Sequence, residues 1–406
     1  MQTITISEYG LLGVDDNVEN YNKFKSAKID KDSFKLLEEF AKNEGSEIFS
    51  FRGKYLQAKS YVGLIELKNG TIIEILPKIY KDNNVKNEKQ VFLNLLKILY
   101  DLPNYKFFES GKFDEEKMPL LEIFIKMFLE EVEFIIKKGI KSDYIEKIDN
   151  LNYLKGKLLI NKQLASIYKN KFNCEFDEYH LNRSENRLLK TTLKYLLNKS
   201  TNFKNKNQIR LYLEHLYEVE LSKNIESDFR NIKINRGTNH YKNALIWAKI
   251  FLKGNSFSSF SGSNVAFSLL YPMEQLFENY VGYILKKEHK NVKLQKSKLF
   301  IKDENNKKVL SPRPDFIIND NIIADAKWKI IDSQNDFSEK DFYQLFVYYH
   351  LFNVNELRLY YPKSEYLQKE KKFTYLDKIN LNIIPIELPI SLLHKKTSDE
   401  EDYKKV

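Results

Sequence analysis

A single cysteine, Cys174, stands among the 406 residues. That excludes an internal disulfide framework and any metal site built from clustered thiolates. No run of about eighteen apolar residues occurs, so no membrane span is expected. The opening residues, MQTITISEYGLLG, lack the charged and apolar segments of a secretory signal, and the chain reads as cytoplasmic. A GxxxxGK(S/T) phosphate-cradling loop is missing too. The chain is therefore not expected to bind or hydrolyse GTP or ATP by that route.

Apolar and charged side chains are abundant. Hydrophobic residues make up 42%, with 28 Phe and 26 Tyr, enough for substantial cores and unlike a disordered chain. The length suggests two or three domains. Sixty-six basic residues against 56 acidic ones give a net charge of +10. The excess is compatible with a polyanionic partner, but it is spread widely and would equally describe a lysine-rich surface.

Three regions are expected. Residues 1–85 look β-rich: in YVGLIELKNGTIIEIL, Asn69-Gly70 lies between two strand-like runs, so Tyr61–Leu67 and Thr71–Leu76 should pair as a hairpin ended by Pro77. The stretch KDNNVKNEKQ reads as a linker. Residues 86–262 form a mainly helical middle, including a helix opened by Pro119 and ended by Gly139. Its leucine and aromatic stripes are read as packing faces. KGNSFSSFSGSN, at 253–264, reads as a boundary loop. Residues 263–406 form an α/β segment in the order helix, three strands, helix, two strands, before a charged tail. No internal repeat is evident.

The chemistry concentrates in RPDFIINDNIIADAKWK, residues 313–329. Two apolar runs flank a turn, with Asp315 in the first and Asp325 in the second. Alternation along a strand puts Asp325 and Lys327 on one face, with Ala326 and Trp328 on the other. A hairpin of this length brings the two aspartates together. Two carboxylates suit Mg²⁺, a hard cation that takes oxygen ligands and keeps waters; the Ala326 carbonyl would be a further ligand. A nearby ammonium can orient a water or neutralise charge developing on a phosphate. The set suits phosphodiester hydrolysis. Surface salt bridges use the same letters, yet a charge inside NIIADAKWKII would be costly unless a metal or partner met it.

With the following helix segment DFYQLFVYY, this stretch resembles the PD-(D/E)xK nuclease core. The wider chain resembles the McrC family, the nuclease subunit of McrBC-type modification-dependent restriction systems. YVGLIELKNGTIIEILPKIY is similar to that family's N-terminal signature. LKGKLLINKQLA and CEFDEYHLNRSENRLLKTTLKYL resemble its centre, and MEQLFENYV its helix before the nuclease sheet. The resemblance spans roughly residues 60 to 350.

It implies an α+β multidomain chain with a β-rich N-terminal domain, a helical middle and a C-terminal α/β restriction-endonuclease-like core. Asp315 and Asp325 are then metal ligands and Lys327 the catalytic lysine. Glu278, in the preceding helix, is an outer metal or water contact, or alternatively a solvated helix edge. Gln344 matches the glutamine that lines such sites. Glu274, one turn before Glu278, could exchange roles with it. Arg313 would contact phosphate or simply end a strand. The implied activity is Mg²⁺-dependent cleavage of modified, double-stranded DNA within a GTP-dependent, methylcytosine-directed complex. GTP belongs to the partner, a McrB-like AAA+ GTPase hexamer that this chain would stimulate, with residues 1–85 as the docking part. The alternative is a non-cleaving adaptor that binds DNA or activates a partner NTPase through a retained nuclease fold.

Overall fold

The computed structural model describes residues 2–21, 23–79, 85–103, 118–167, 170–253, 265–298, 301–302, 304, 308–375 and 379–390. The boundary loop from 254 to 264 and the charged tail from 391 lie outside the described residues. The chain forms two compact units. One joins residues 1–104 to 256–406, and the other is residues 105–255. No helix among the described residues is long and apolar enough to cross a membrane.

In the first unit, a four-stranded sheet has the order Thr3–Ser7, Ile72–Leu76, Tyr61–Leu67, Val265–Pro272. Thr3–Ser7 runs parallel to its neighbour, and the other two pairings are antiparallel. The expected hairpin is present, but its turn is not of the kind in which both central residues are left-handed. Gly70 donates its N–H to Leu67 O at 2.9 Å, and only Gly70 has a positive φ, 85°. That is a turn followed by one left-handed residue, the three-residue hairpin loop. Ile65, Leu67, Ile73 and Ile75 pack on Leu37 and Phe40 of the helix Lys31–Asn43. Asp30 caps that helix, accepting from Ser33 N at 2.8 Å.

This sheet departs from the three-region expectation. Tyr61–Leu67 is apolar except for Glu66 and buried from Val62 onward, so it needs a strand on each edge. Val265–Pro272 supplies the second edge from some two hundred residues away. Gly63 permits the close approach: a Cβ there would stand 1.9 Å from Leu269 O. The segment expected as a linker runs into the helix Val85–Tyr100. That helix meets Tyr271 through Phe92 and Tyr100, and Asn94 Nδ2 donates to Pro389 O at 2.7 Å.

The second sheet of this unit has six strands in the order Val292–Leu294, Phe316–Ile318, Ile322–Ala326, Glu356–Pro362, Ile379–Ile386, Lys371–Tyr375. The central three are parallel. The helix Glu339–Phe352 makes the crossover between the first two of these. Lys371–Tyr375 is an edge strand that sequence periodicity did not announce. Ile317, Ile323, Leu345, Tyr348, Leu359 and Ile383 form the core.

The second unit carries the helices Leu120–Lys138, Ser184–Lys199, Phe203–His215 and Lys242–Lys253. Pro119 and Gly139 bound the first of these, as expected, with Gly139 at φ 96°. The unit also holds a three-stranded antiparallel sheet of Asp143–Leu151, Phe172–His180 and Lys157–Leu158, in a region expected to be mainly helical. The cause is a period of two in FNCEFDEYH: Cys174 and Phe176 are buried on one face. Glu122 is buried here and saturated, accepting from Ser200 Oγ and Asn205 Nδ2, both at 2.8 Å.

Candidate active site

A short turn joins Phe316–Ile318 to Ile322–Ala326. Asn319 and Asp320 both adopt positive φ, 50° and 59°, and Asn321 N donates to Ile318 O at 3.1 Å. Three residues, 319–321, link the paired Ile318 and Ile322, and this short turn fixes the register of the strands. Phe316 pairs with Ala324, so one step further Asp315 meets Asp325. Asp315 N–H donates to Asp325 Oδ1 at 3.1 Å, and Ala326 N–H donates to Asp315 Oδ2 at 2.9 Å.

Lys327 lies just past the strand's end but stays extended, its N–H donating to Tyr360 O at 2.8 Å. Its side chain therefore returns on the Asp325 side. Lys327 Nζ donates to Asp325 Oδ2 at 3.0 Å and to Gln344 Oε1 at 2.9 Å. Gln344 Nε2 donates to Tyr348 OH at 2.6 Å, and Tyr348 OH to Arg313 O at 3.0 Å. The lysine is thus fixed by a chain of polar groups from the crossover helix.

Charge is crowded here. Asp325 is 1% exposed. Burial, then the neighbouring Asp325 carboxylate, pushes the Asp315 carboxyl up to about 7, against the Ala326 N–H, which pulls it down. Burial works to lower the Lys327 ammonium, but the Asp325 and Asp315 carboxylates outweigh it, and the ammonium titrates above its ordinary range. Asp315 Oδ1 accepts no hydrogen bond among the described residues. It borders a cleft of about 800 Å³, whose lining includes Ala326, Lys327, Glu274 and Glu278.

The structure brings together Asp315, Asp325, Lys327, Gln344 and the Ala326 backbone. Glu278 lines the cleft but binds Gln295, whose Nε2 donates to Glu278 Oε1 at 2.7 Å. Glu274 also lines it. Arg313 is exposed and enters the hydrogen-bond chain only through its carbonyl. Among the described residues no group of three or more His, Cys, Asp or Glu is placed to hold a metal ion. Two carboxylates are what the site offers. Sequence reasoning missed Tyr348, although it lies four residues after Gln344 on the same helical face. It also missed Lys78, which lines the cleft, and the buried Glu8.

Fold and site together define a mixed α/β protein with two acids and a lysine converging at the end of a sheet strand. The model of the McrBC family, described as McrBC 5-methylcytosine restriction system component, matches residues 56–362, and the chain belongs to that family. The family signature read in YVGLIELKNGTIIEILPKIY falls inside the matched span.

Among solved structures, a chain in the tetradecameric assembly of Thermococcus gammatolerans McrB AAA+ hexamers with bound McrC has a similar fold. The TM-score is 0.77 at 17% identity, covering 97% of each chain. A chain of the Thermococcus gammatolerans McrBC complex gives a TM-score of 0.54 at 19% identity, over 70% of this chain and 88% of that one. A curated relative, U3 small nucleolar RNA-associated protein 10 of Candida albicans, is 29% identical over 177 residues. That stretch is 40% of this chain, which spans 9% of that protein's length.

Proposed function

We propose that this chain is the metal-dependent DNA endonuclease subunit of a GTP-dependent, methylcytosine-directed restriction complex, with the six-stranded sheet as its PD-(D/E)xK core. The observation that carries the reading is the convergence of Asp315, Asp325 and Lys327, with Asp315 and Lys327 lining an open cleft. Two carboxylates and a backbone carbonyl fit Mg²⁺, which uses few protein ligands and retains waters. The unengaged Asp315 Oδ1 is the donor such an ion needs.

Asp315, Asp325 and the Ala326 carbonyl would hold Mg²⁺. When bound, the ion supplies positive charge at the scissile phosphate. Lys327 donates to a phosphate oxygen as negative charge develops there, and Gln344 keeps its ammonium in place. Tyr348 holds Gln344. Glu278, bridged to Gln295, orders water at the cleft's edge. The partner in this reading is a McrB-like AAA+ GTPase hexamer, as in the Thermococcus gammatolerans assemblies. That partner binds GTP, and residues 1–85 offer it a docking face.

The test is incubation of the chain with its partner GTPase, GTP, Mg²⁺ and plasmid DNA carrying 5-methylcytosine, omitting each in turn. The reading expects cutting only in the full mixture and none after EDTA. A complex that binds DNA and stimulates GTP hydrolysis but never cuts would support the non-cleaving adaptor instead.

A further inference from the structure

The turn after Thr3–Ser7 is built at a cost. Gly10 N donates to Ser7 O at 2.9 Å, making a four-residue turn whose third position is Tyr9, at φ 61°. Glycine or asparagine ordinarily fills a left-handed third position. A tyrosine there is strained, because its Cβ crowds the backbone. Gly10 has no room for a side chain, since a Cβ would stand 2.1 Å from Lys25 O. Glu8 N is pinned to Leu76 O at 2.9 Å.

This backbone aims the Glu8 side chain inward, where it is fully buried. Its carboxylate accepts from Trp328 Nε1 at 3.1 and 3.0 Å, on both oxygens, and from Lys78 N at 3.1 Å. Burial pushes the carboxyl up to about 7. Packing alone calls for none of this. A phenylalanine at 328 would still pack against Phe277, 5.5 Å away, and would need no buried acid opposite it.

Trp328 is the residue after Lys327, and Phe277 the residue before Glu278. We propose that Glu8 is a positioning residue of the nuclease site: by holding the Trp328 indole it fixes the end of the strand Ile322–Ala326, and so where Lys327 stands. The N-terminal turn is then part of the active site rather than of a detachable domain. The proposal rests on the endonuclease reading above. Partners that hold site residues in place are typically worth about 10- to 100-fold, and small misplacements cost as much.

The test uses the full chain with its partner GTPase, GTP, Mg²⁺ and 5-methylcytosine plasmid. Glu8→Leu keeps the volume and removes the acceptor. It should lower kcat about 10- to 100-fold with KM within about twofold. Glu8→Gln keeps one acceptor oxygen and should restore kcat to within about threefold of wild type, the rescue that loss of packing would not show. Trp328→Phe removes the donor together with part of the ring volume and should lose at least as much kcat as Glu8→Leu; it also carries the test if Glu8→Leu fails to fold. Wild-type kcat in a folded Trp328→Phe chain, or equal losses in Glu8→Gln and Glu8→Leu, would overturn the positioning role alone. A wild-type complex that does not cut overturns the endonuclease reading, and this role with it.

Discussion

Two buried acid–lysine pairs lie in the same unit and do different work. Glu74 and Lys89 stand 3.1 Å apart, with side chains 0% and 9% exposed. Asp325 and Lys327 stand 3.0 Å apart, at 1% and 19%. Length and burial of the ion pair barely separate them. The first is sealed: Glu74 sits in the strand Ile72–Leu76, where Thr5 Oγ1 also donates to it at 3.3 Å. The second opens on a cleft, has another carboxylate on the facing strand, and shares its lysine with Gln344. A buried ion pair therefore says little by itself. Convergence with a second acid and access to solvent turn it into a candidate for chemistry.

The sharpest way to separate the pairs is to remove each lysine. Lys327→Ala should cut DNA at least about a thousandfold more slowly, roughly 4 kcal/mol on the barrier, while the folded chain still stimulates its partner's GTP hydrolysis. Near wild-type cutting would place the two pairs in one structural class.

Lys89→Met should do the reverse. It removes the ammonium facing the buried Glu74 carboxylate, costing about 3–5 kcal/mol in urea unfolding, with cutting per folded molecule unchanged. Unchanged stability would mean that the sealed pair is not what holds the two elements together.

Glu8 supplies a smaller, pH-dependent difference. Its carboxyl is raised to about 7 in the folded protein from an ordinary 4.5, so the folded state favours the proton. The stability this contributes is fully present below 4.5 and is lost as pH rises through 7. Glu8→Gln removes the titration. Wild-type stability relative to the variant should fall by at most about 3 kcal/mol between pH 4.5 and 8. A pH-independent difference would show that Glu8 titrates normally.

Local signals in the sequence went a long way. The alternation of NIIADAKWK put Asp325 and Lys327 on one face and Trp328 on the other, as the hydrogen bonds now display. The turn dipeptide at Asn69-Gly70 located a hairpin but not its turn type; the pair of left-handed residues belongs to Asn319-Asp320. Non-local pairing was not legible. Nothing in AFSLLYP says that it will lie beside Tyr61–Leu67, because a mostly apolar strand fits many edges. The division at 85 and 263 missed this joint for that reason. Glu8 belongs to no motif, and one acid before a turn reads as surface until the fold buries it. The sheet in the middle region was visible as Cys174–Phe176 alternation, but its span is short among helices.

The proposed chemistry depends on a divalent cation held by Asp315 and Asp325. Calorimetric titration of Mn²⁺, standing in for Mg²⁺, into the full-length protein tests it without relying on cleavage. The account predicts binding by the wild type, and binding at least about tenfold weaker by a folded Asp325→Asn chain, which keeps the shape and removes the charge. No binding by the wild type, or equal affinity in the variant, would contradict it.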